Sequence, residues 1–276
     1  MRRPNWAPPG VDIDRPASSR IYDYMLGGSH NFAVDRQVAE RAIAAMPQLP
    51  RVLRENRAFL CRAVRFLAGE AGVRQFLDLG SGIPTVGNVH EIVAEIDPAA
   101  RVVYVDIDPV AVIHSSAILA GNPHAIAIQA DLRRPLAVLG DPAVRELLDL
   151  DQPVAALLVA TLHFLPDEQD PAGVLTQLRQ ALAPGSYVAV SHASEDGRPP
   201  AGQRDAQAVY ARADNAVIMR SRQEIEALLD GWEPVPPGIA RCPLWRPDLG
   251  DGPPADATRF PGYGVVARVD QRMSIR

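Results

Sequence analysis

The sequence predicts a doubly wound α/β fold on a largely parallel sheet. Two observations predict it. From Gln75 to His192, short apolar runs of strand length alternate with stretches of helical periodicity, the pattern of successive βαβ units. Three of those runs end at an aspartate, Asp78, Asp106 and Asp131. That places three carboxylates along one sheet edge, the carboxyl edge, where open α/β sheets bind ligands.

Each element follows in order. Residues 1–20, rich in Pro, Asp and Arg, read as an extended lead-in. Residues 33–46 predict a short helix ended by Pro47 and Pro50. From Arg51 to Ala71, Val52, Leu53, Leu60, Val64 and Leu67 recur at helical spacing, and Gly72 suits the end of that helix. "RQFLDLG" is the first strand, a buried apolar run, and a helix is expected from Thr85 to Ile96. "ARVVYVDID" and a helix over Pro109–Ala120 follow, then the strand "AIAIQADL" and a short helix over Pro142–Leu150. The strand "VAALLVATL", a helix over 171–183 and the strand "SYVAVSH" complete the regular alternation. Beyond it lie a helix over 201–218 and a second that opens at Ser221 with Glu224 three residues on, a capping box. Two late strands are expected near Trp232–Val235 and Tyr263–Val269, joined by a loop heavy in Pro, Gly and Asp. There is no internal repeat and no heptad pattern.

Composition excludes several classes. The chain has 276 residues, of which 47% are apolar, ample for a packed core. Net charge is −5, which does not suggest a broad nucleic-acid-binding face. All 28 basic residues are arginine, read as the base-composition bias of a GC-rich genome. Cys61 and Cys242 form no metal knuckle or disulfide framework, and the six histidines lack metal-ligand spacing, so no metal is expected. The first residues lack the apolar run of a signal peptide, and no run spans a bilayer. A cytoplasmic protein with no membrane partner is expected.

The chemistry concentrates in "FLDLGSGIPT". Gly80-Ser81-Gly82 turns a strand into a helix and lets backbone approach a ligand closely. A dinucleotide fingerprint would place glycine at position 85, where Thr85 stands. An acidic residue two positions before the first glycine, Asp78, suits a ligand carrying an amino group, such as S-adenosylmethionine; the bland reading is a tight turn with no ligand. Asp106 stands 24 residues after Gly82, placed to accept both hydroxyls of a ribose. Asp108, before Pro109, has the simpler role of a helix cap. Asp131 is placed to accept from an exocyclic adenine amine.

The set "YDYMLGG…NFAVDR", "ENRAFLCRAVRFLA", "QFLDLGSGIPTVGNVHE", "RVVYVDIDPV", "ADLR" and "LLVATLHFL" resembles the actinobacterial S-adenosylmethionine-dependent methyltransferases first catalogued as a domain of unknown function, over about Arg15 to Val269. The resemblance implies a Rossmann-like class I methyltransferase fold: a seven-stranded, mostly parallel sheet with its last strand antiparallel and helices on both faces. It implies S-adenosylmethionine as cofactor, S-adenosylhomocysteine as product, and no particular acceptor. The cofactor-binding set expected is Asp78, Gly80, Ser81, Gly82, Asp106, Ile107, Asp131, Leu132, Asn31, Arg57 and Ala160. Thr161 departs from an apolar position at the expected pocket floor.

Methyl transfer is an in-line displacement, which needs alignment and exclusion of water more than it needs a catalytic constellation. His163, after the fourth strand, is either a base or orienting group for the acceptor or a half-buried histidine bonded to backbone; His192 reads the same way with the structural role favoured. His90 and Glu91 read as packing or surface residues. Arg57 and Asn56, on the helix before the first strand, either reach the donor's carboxylate or lie on a polar helix face. Arg133 and Arg134 read as partners of nearby carboxylates, and Trp245 as an anchor for the C-terminal loop. "YDYMLGGSHNF" lies ahead of the main domain. It is read as a lid over the carboxyl edge, within an extension over 1–50 that precedes the domain at 51–276, or as a segment that only buries that edge. Tyr22 and Asn31 are its candidates to touch donor or acceptor, Tyr22 with a catalytic role. The expected function is methylation of an unidentified acceptor, a small molecule; a non-catalytic donor-binding protein is the alternative. A nicotinamide oxidoreductase is disfavoured by Thr85, and nucleic-acid methylation by acidity and by "ATLHFLPD" after the fourth strand. Oligomeric state is open.

Overall fold

The computed structural model describes residues 7, 11–84, 87–197, 202–211, 216–248 and 252–269. Two helices, α1 (Ser18–Met25) and α2 (Ala33–Ala45), precede the long α3 (Leu49–Arg65), which continues as a wider π turn over Phe66–Glu70. Pro50 opens α3 instead of closing α2, because the first helical turn needs no N–H from it. Gly72 ends the run at φ +70°, as a helix terminus in the left-handed region requires.

The core alternates as expected: β1 (Gln75–Leu79), α4 (Val89–Ala94), β2 (Arg101–Asp106), α5 (Pro109–Ile118) and β3 (Ala125–Gln129). It continues through α6 (Pro135–Leu139), α7 (Pro142–Leu147), β4 (Ala155–Val159), α8 (Pro171–Ala181) and β5 (Tyr187–Ala193). Then come α9 (Gln203–Ala211), α10 (Arg222–Leu228), β6 (Trp232–Pro234), β7 (Ala240–Arg241) and β8 (Gly262–Val269). The helix expected from Thr85 begins at Val89, and Thr85 lies outside the described residues. Of the helix expected over 201–218, the described residues are helical over Gln203–Ala211 as α9, and residues 216–218 are not helical, so the helix was expected to run too far. The sequence reading had no helix at α6.

Strand order is β3-β2-β1-β4-β5-β8-β6. β1 to β5 pair in parallel, and β8 runs antiparallel between β5 and β6. The expected seven strands become eight because the two-residue β7 also pairs with β8. The order reverses direction between β1 and β4, so the loops leaving these strands part there and open a crevice. The strands are apolar on both faces because helices cover both. One face packs Leu77, Leu79, Val103 and Leu158 under α8 and α10; the other packs Phe76, Val102 and Leu157 under α3 and α4. Phe59 of α3 presses on Gly264, where an added Cβ would sit 2.5 Å from the ring. Trp245, fully buried, stacks edge-on against Phe59 and Phe66, and Arg62 donates to its carbonyl, anchoring the C-terminal loop. A third cluster joins α1 and α2 to α9 through Ile21, Val38, Ala42 and Ala206.

Candidate active site

The loop after β1 is shaped by backbone. The carbonyl of Val105 accepts from both Gly80 N–H and Ser81 N–H, at 2.7 and 3.1 Å, bending the chain over the end of β2. Gly80 and Gly82 take φ of +76° and +68°, a region costly for other residues. A Cβ on Gly80 would strike the methyl of Thr161, whereas a Cβ on Gly82 would meet nothing within 4 Å. Gly80 is thus wanted for packing as well as conformation, and Gly82 faces open space.

Asp78 is 5% exposed, and among the described residues nothing donates a hydrogen bond to its carboxylate. Burial raises its pKa from 3.8 to about 7; Arg57 nearby pulls it down and Asp106 pushes it up. Asp106, at the end of β2, accepts from Gly82 N–H at 2.7 Å and from Asp108 N–H at 2.8 Å. Burial still lifts its pKa to about 6 against those hydrogen bonds. A carboxylate offers about four lone-pair sites, so two remain. Asp108 caps α5 by accepting from Val110 N–H, the structural role its place before Pro109 suggests. Ile107, between the two aspartates, is 59% exposed. Asp131 lies two residues beyond β3, which ends at Gln129, and Arg133 chelates it at 2.8 Å, holding its pKa low. Leu132 packs toward Gly80, 3.3 Å from its would-be Cβ.

The loop after β4 carries strain. Ala160 has φ +58°, a conformation that costs a non-glycine residue on the order of 1–3 kcal/mol. Ser191 of β5 holds it: Ala160 N–H donates to the Ser191 hydroxyl, which donates to the Asn56 carbonyl oxygen at 2.6 Å. Arg220, 4% exposed, holds the other end by donating to the carbonyls of Leu162 and Leu165 and to Asp167. It also lies 2.9 Å from His192 Nε2. Arginine can only donate there, so His192 Nε2 accepts and its Nδ1–H donates to the Ala193 carbonyl. Between these anchors, Thr161 Oγ1 and His163 Nδ1 are buried without a hydrogen-bond partner among the described residues. Burial, His192 and Arg220 push the pKa of His163 down to about 3, so its imidazole is neutral at physiological pH.

The N-terminal segment docks on this edge. The Tyr22 hydroxyl donates to the Leu53 carbonyl and accepts from Asn56 Nδ2 at 3.4 Å, extending the chain Ala160–Ser191–Asn56 to α1. Asn56 is therefore a bridge between α1 and β5, with both ends of its amide engaged by Tyr22 and Ser191. Asn31 is likewise turned inward: its amide donates to Asp23 and the Gly28 carbonyl, and its oxygen accepts from Arg36. Gly28 must be glycine because the Asp23 carboxylate occupies the place where a Cβ would be. Arg57 donates to the carbonyl of Gly87. His90 is more than a surface residue, since its backbone N–H and Nδ1 both engage the buried Tyr104 hydroxyl, at 2.9 and 2.7 Å. Glu91 accepts from Asn88 N–H and so caps α4.

A family described as S-adenosyl methyltransferase matches residues 4–270. The chain belongs to the S-adenosyl methyltransferase family. It is a methyltransferase enzyme of class I fold, with S-adenosylmethionine as its cofactor. A putative methyltransferase from Thermobifida fusca is 40% identical, with TM-score 0.89 over 96% of this chain and 99% of that one. A DUF574 family protein from Streptomyces avermitilis is 38% identical, with TM-score 0.87 over 94% and 100%. The mitomycin 7-O-methyltransferase MmcR, 19% identical with TM-score 0.51 over 92% of this chain and 69% of that one, shares the fold. No curated protein matches in sequence.

Asp78 is thus a buried carboxyl to which no described residue donates a hydrogen bond, and an added Cβ on Gly82 would meet nothing within 4 Å. Sequence reasoning missed Ser191, Arg220, Ser19 and Arg20. None belongs to a motif, and each acts on residues 28 or more positions away. Among the described residues no three His, Cys, Asp or Glu side chains could hold a metal, and no helix is long and apolar enough to cross a membrane.

Proposed function

We propose that this methyltransferase methylates a small-molecule acceptor in the cytoplasm, with its donor held along the carboxyl edge from β1 to β4. Asp78 takes the donor's amino group and Arg57, whose charge already bears on Asp78, its carboxylate. Asp106 takes the ribose hydroxyls on its two remaining lone-pair sites, and Gly80, Ser81 and Gly82 give backbone room beside them. Ile107 and Leu132 flank the adenine, and Asp131 meets its exocyclic amine at the rim. Bound there, S-adenosylmethionine supplies an electrophilic methyl group. The strained turn at Ala160 carries His163 to the acceptor side, where its unpartnered Nδ1 orients or deprotonates the nucleophile. Tyr22 belongs to the lid that excludes water. Asn31 shapes that lid from within.

The observation that carries the reading is the pair Asp78 and Asp106, two buried carboxyls with raised pKa on either side of an open glycine turn. Thermal shift tests the reading. S-adenosylmethionine and S-adenosylhomocysteine stabilise the protein and NAD does not; stabilisation by NAD alone would overturn it. Deleting residues 1–32 weakens donor binding while the sheet stays folded. Full affinity in that truncation would show that the segment is no lid.

A further inference from the structure

We propose that Ser19 and Arg20 of the N-terminal helix are positioning residues for the donor's ribose, acting through Asp108 on Asp106; the inference rests on the assignment of Asp106 above. The Ser19 hydroxyl donates to Asp108 Oδ2 at 2.6 Å, across 89 residues of sequence. Arg20 is buried, with its Nε 3.5 Å from both the Asp108 and the Asp35 carboxylates. Its remaining nitrogens donate to the carbonyls of Asp12 and Arg15, and its guanidinium lies over the Phe32 ring.

A helix cap needs only one carboxylate oxygen, and Asp108 Oδ1 supplies it to Val110 N–H. The second oxygen is spent on the N-terminal helix. This matters because the backbone N–H of the same residue aims Asp106, donating to its Oδ1 at 2.8 Å, while Gly82 N–H fixes Oδ2 at 2.7 Å. The directions left for ribose hydroxyls are therefore set by two N–H groups. One of them belongs to a residue gripped from the lid. The relay runs Ser19 and Arg20 to Asp108, to Asp106, to the glycine turn, and every link but Arg20's charge contact is a hydrogen bond. It makes the N-terminal segment part of the donor site without a side chain of that helix touching the donor.

The full-length protein, its Ser19→Ala variant and its Ser19→Thr variant are titrated with S-adenosylhomocysteine and with its 2′,3′-dideoxy analogue. Thermal unfolding verifies that each is folded. Ser19→Ala weakens S-adenosylhomocysteine about fivefold, the size of a partly transmitted hydrogen bond to a charged group. It leaves the dideoxy analogue unchanged, and Ser19→Thr, which restores the hydroxyl, restores affinity. A helix that merely packs would weaken both ligands alike, and that result, or no loss for either, overturns the relay. If the wild-type protein binds the two ligands equally, Asp106 does not read the ribose, and the parent assignment fails independently of Ser19.

Discussion

Replacing Asp78 with asparagine makes the protein more stable and less able to bind its donor. In the unfolded chain this carboxyl loses its proton near 3.8, in the folded protein near 7, because burial opposes the charge more than Arg57 favours it. The folded state therefore holds the proton more tightly. Its advantage is complete below pH 4, shrinks as pH rises, and is gone above 7. Three pKa units at 1.36 kcal/mol each put the cost of the charged side chain at on the order of 4 kcal/mol at pH 8. A neutral amide at this position carries no such cost, so Asp78→Asn melts well above the wild type at pH 8 and level with it at pH 4. Donor binding runs the other way. An ammonium needs the ionised carboxylate, so between pH 8 and 6 S-adenosylhomocysteine loses about tenfold in affinity to the protonation of Asp78. The control is 5′-methylthioadenosine, which has the nucleoside and no amino acid. It loses about twofold over the same range, from Asp106, whose pKa is about 6. Calorimetric titration at each pH, with melting curves of both proteins, reads both effects. Equal melting temperatures at pH 8, or the same pH slope for the two ligands, would refute the reasoning.

Asp106→Ala removes two ribose contacts and leaves Gly82 N–H and Asp108 N–H without their acceptor; donor affinity falls by about 100-fold or more, and unchanged affinity would remove Asp106 from the site. Gly28→Ala drives a methyl into the Asp23 carboxylate, costing about 1–3 kcal/mol; it loosens the N-terminal segment and weakens the donor, read by melting and titration. His163→Gln leaves S-adenosylhomocysteine affinity within about twofold and lowers turnover by about 10²-fold or more. With the His163 pKa pushed down to about 3, the wild-type rate shows no inflection from this group between pH 5 and 9, and one that His163→Gln abolishes would contradict its neutral state.

The sheet was legible because its physics is local. Strands covered on both faces need apolar runs, and Phe76–Leu77, Val102–Val105, Ala155–Val159 and Val188–Val190 supply them in β1, β2, β4 and β5. Asp108 and Ser221 declare helix starts by residue type and spacing alone, and both cap as read. β7 was not legible: two residues carry no alternation, and only pairing with β8 makes them a strand. The helix expected from Thr85 starts later because Asn88 and Glu91 form the cap that opens α4, a pairing of residue types three apart that the sequence itself carries. At the site, Asp78 and Asp106 were legible as carboxylates at strand ends. Asn31 and Asn56 were not legible as bridges, since an amide looks the same in a motif whether it faces a ligand or its own chain. Ser191, Arg220 and Ser19 depend on which distant element arrives beside them, and no periodicity encodes that.

Where the fold gives up stability points to the same place as the carboxylates. Ala160 in a left-handed conformation, two buried polar atoms without partners at Thr161 and His163, and the buried carboxyl of Asp78 all lie at the ends of β1 and β4. These neighbouring parallel strands leave the sheet at the point where its order reverses. Each feature is unfavourable alone, and the turn after β4 is held from both ends. Ser191 takes the Ala160 N–H, Arg220 takes the carbonyls of the turn, and the thin side of the arrangement is a glycine pressed against Thr161. A turn under strain and fixed from both ends cannot relax to satisfy His163 Nδ1 from within the protein. On the proposed reading, that atom is the one the acceptor meets. Burial, helped by Arg220 and opposed by the bond to the Ala193 carbonyl, pushes the His192 pKa down to about 4, and the same contacts set its tautomer, so uncharged imidazoles stand after β4 and β5 while carboxyls stand at the ends of β1 and β2. Arg220 is spent on backbone carbonyls, His192 and Asp167, and so stiffens the turn while its charge is met by the Asp167 carboxylate.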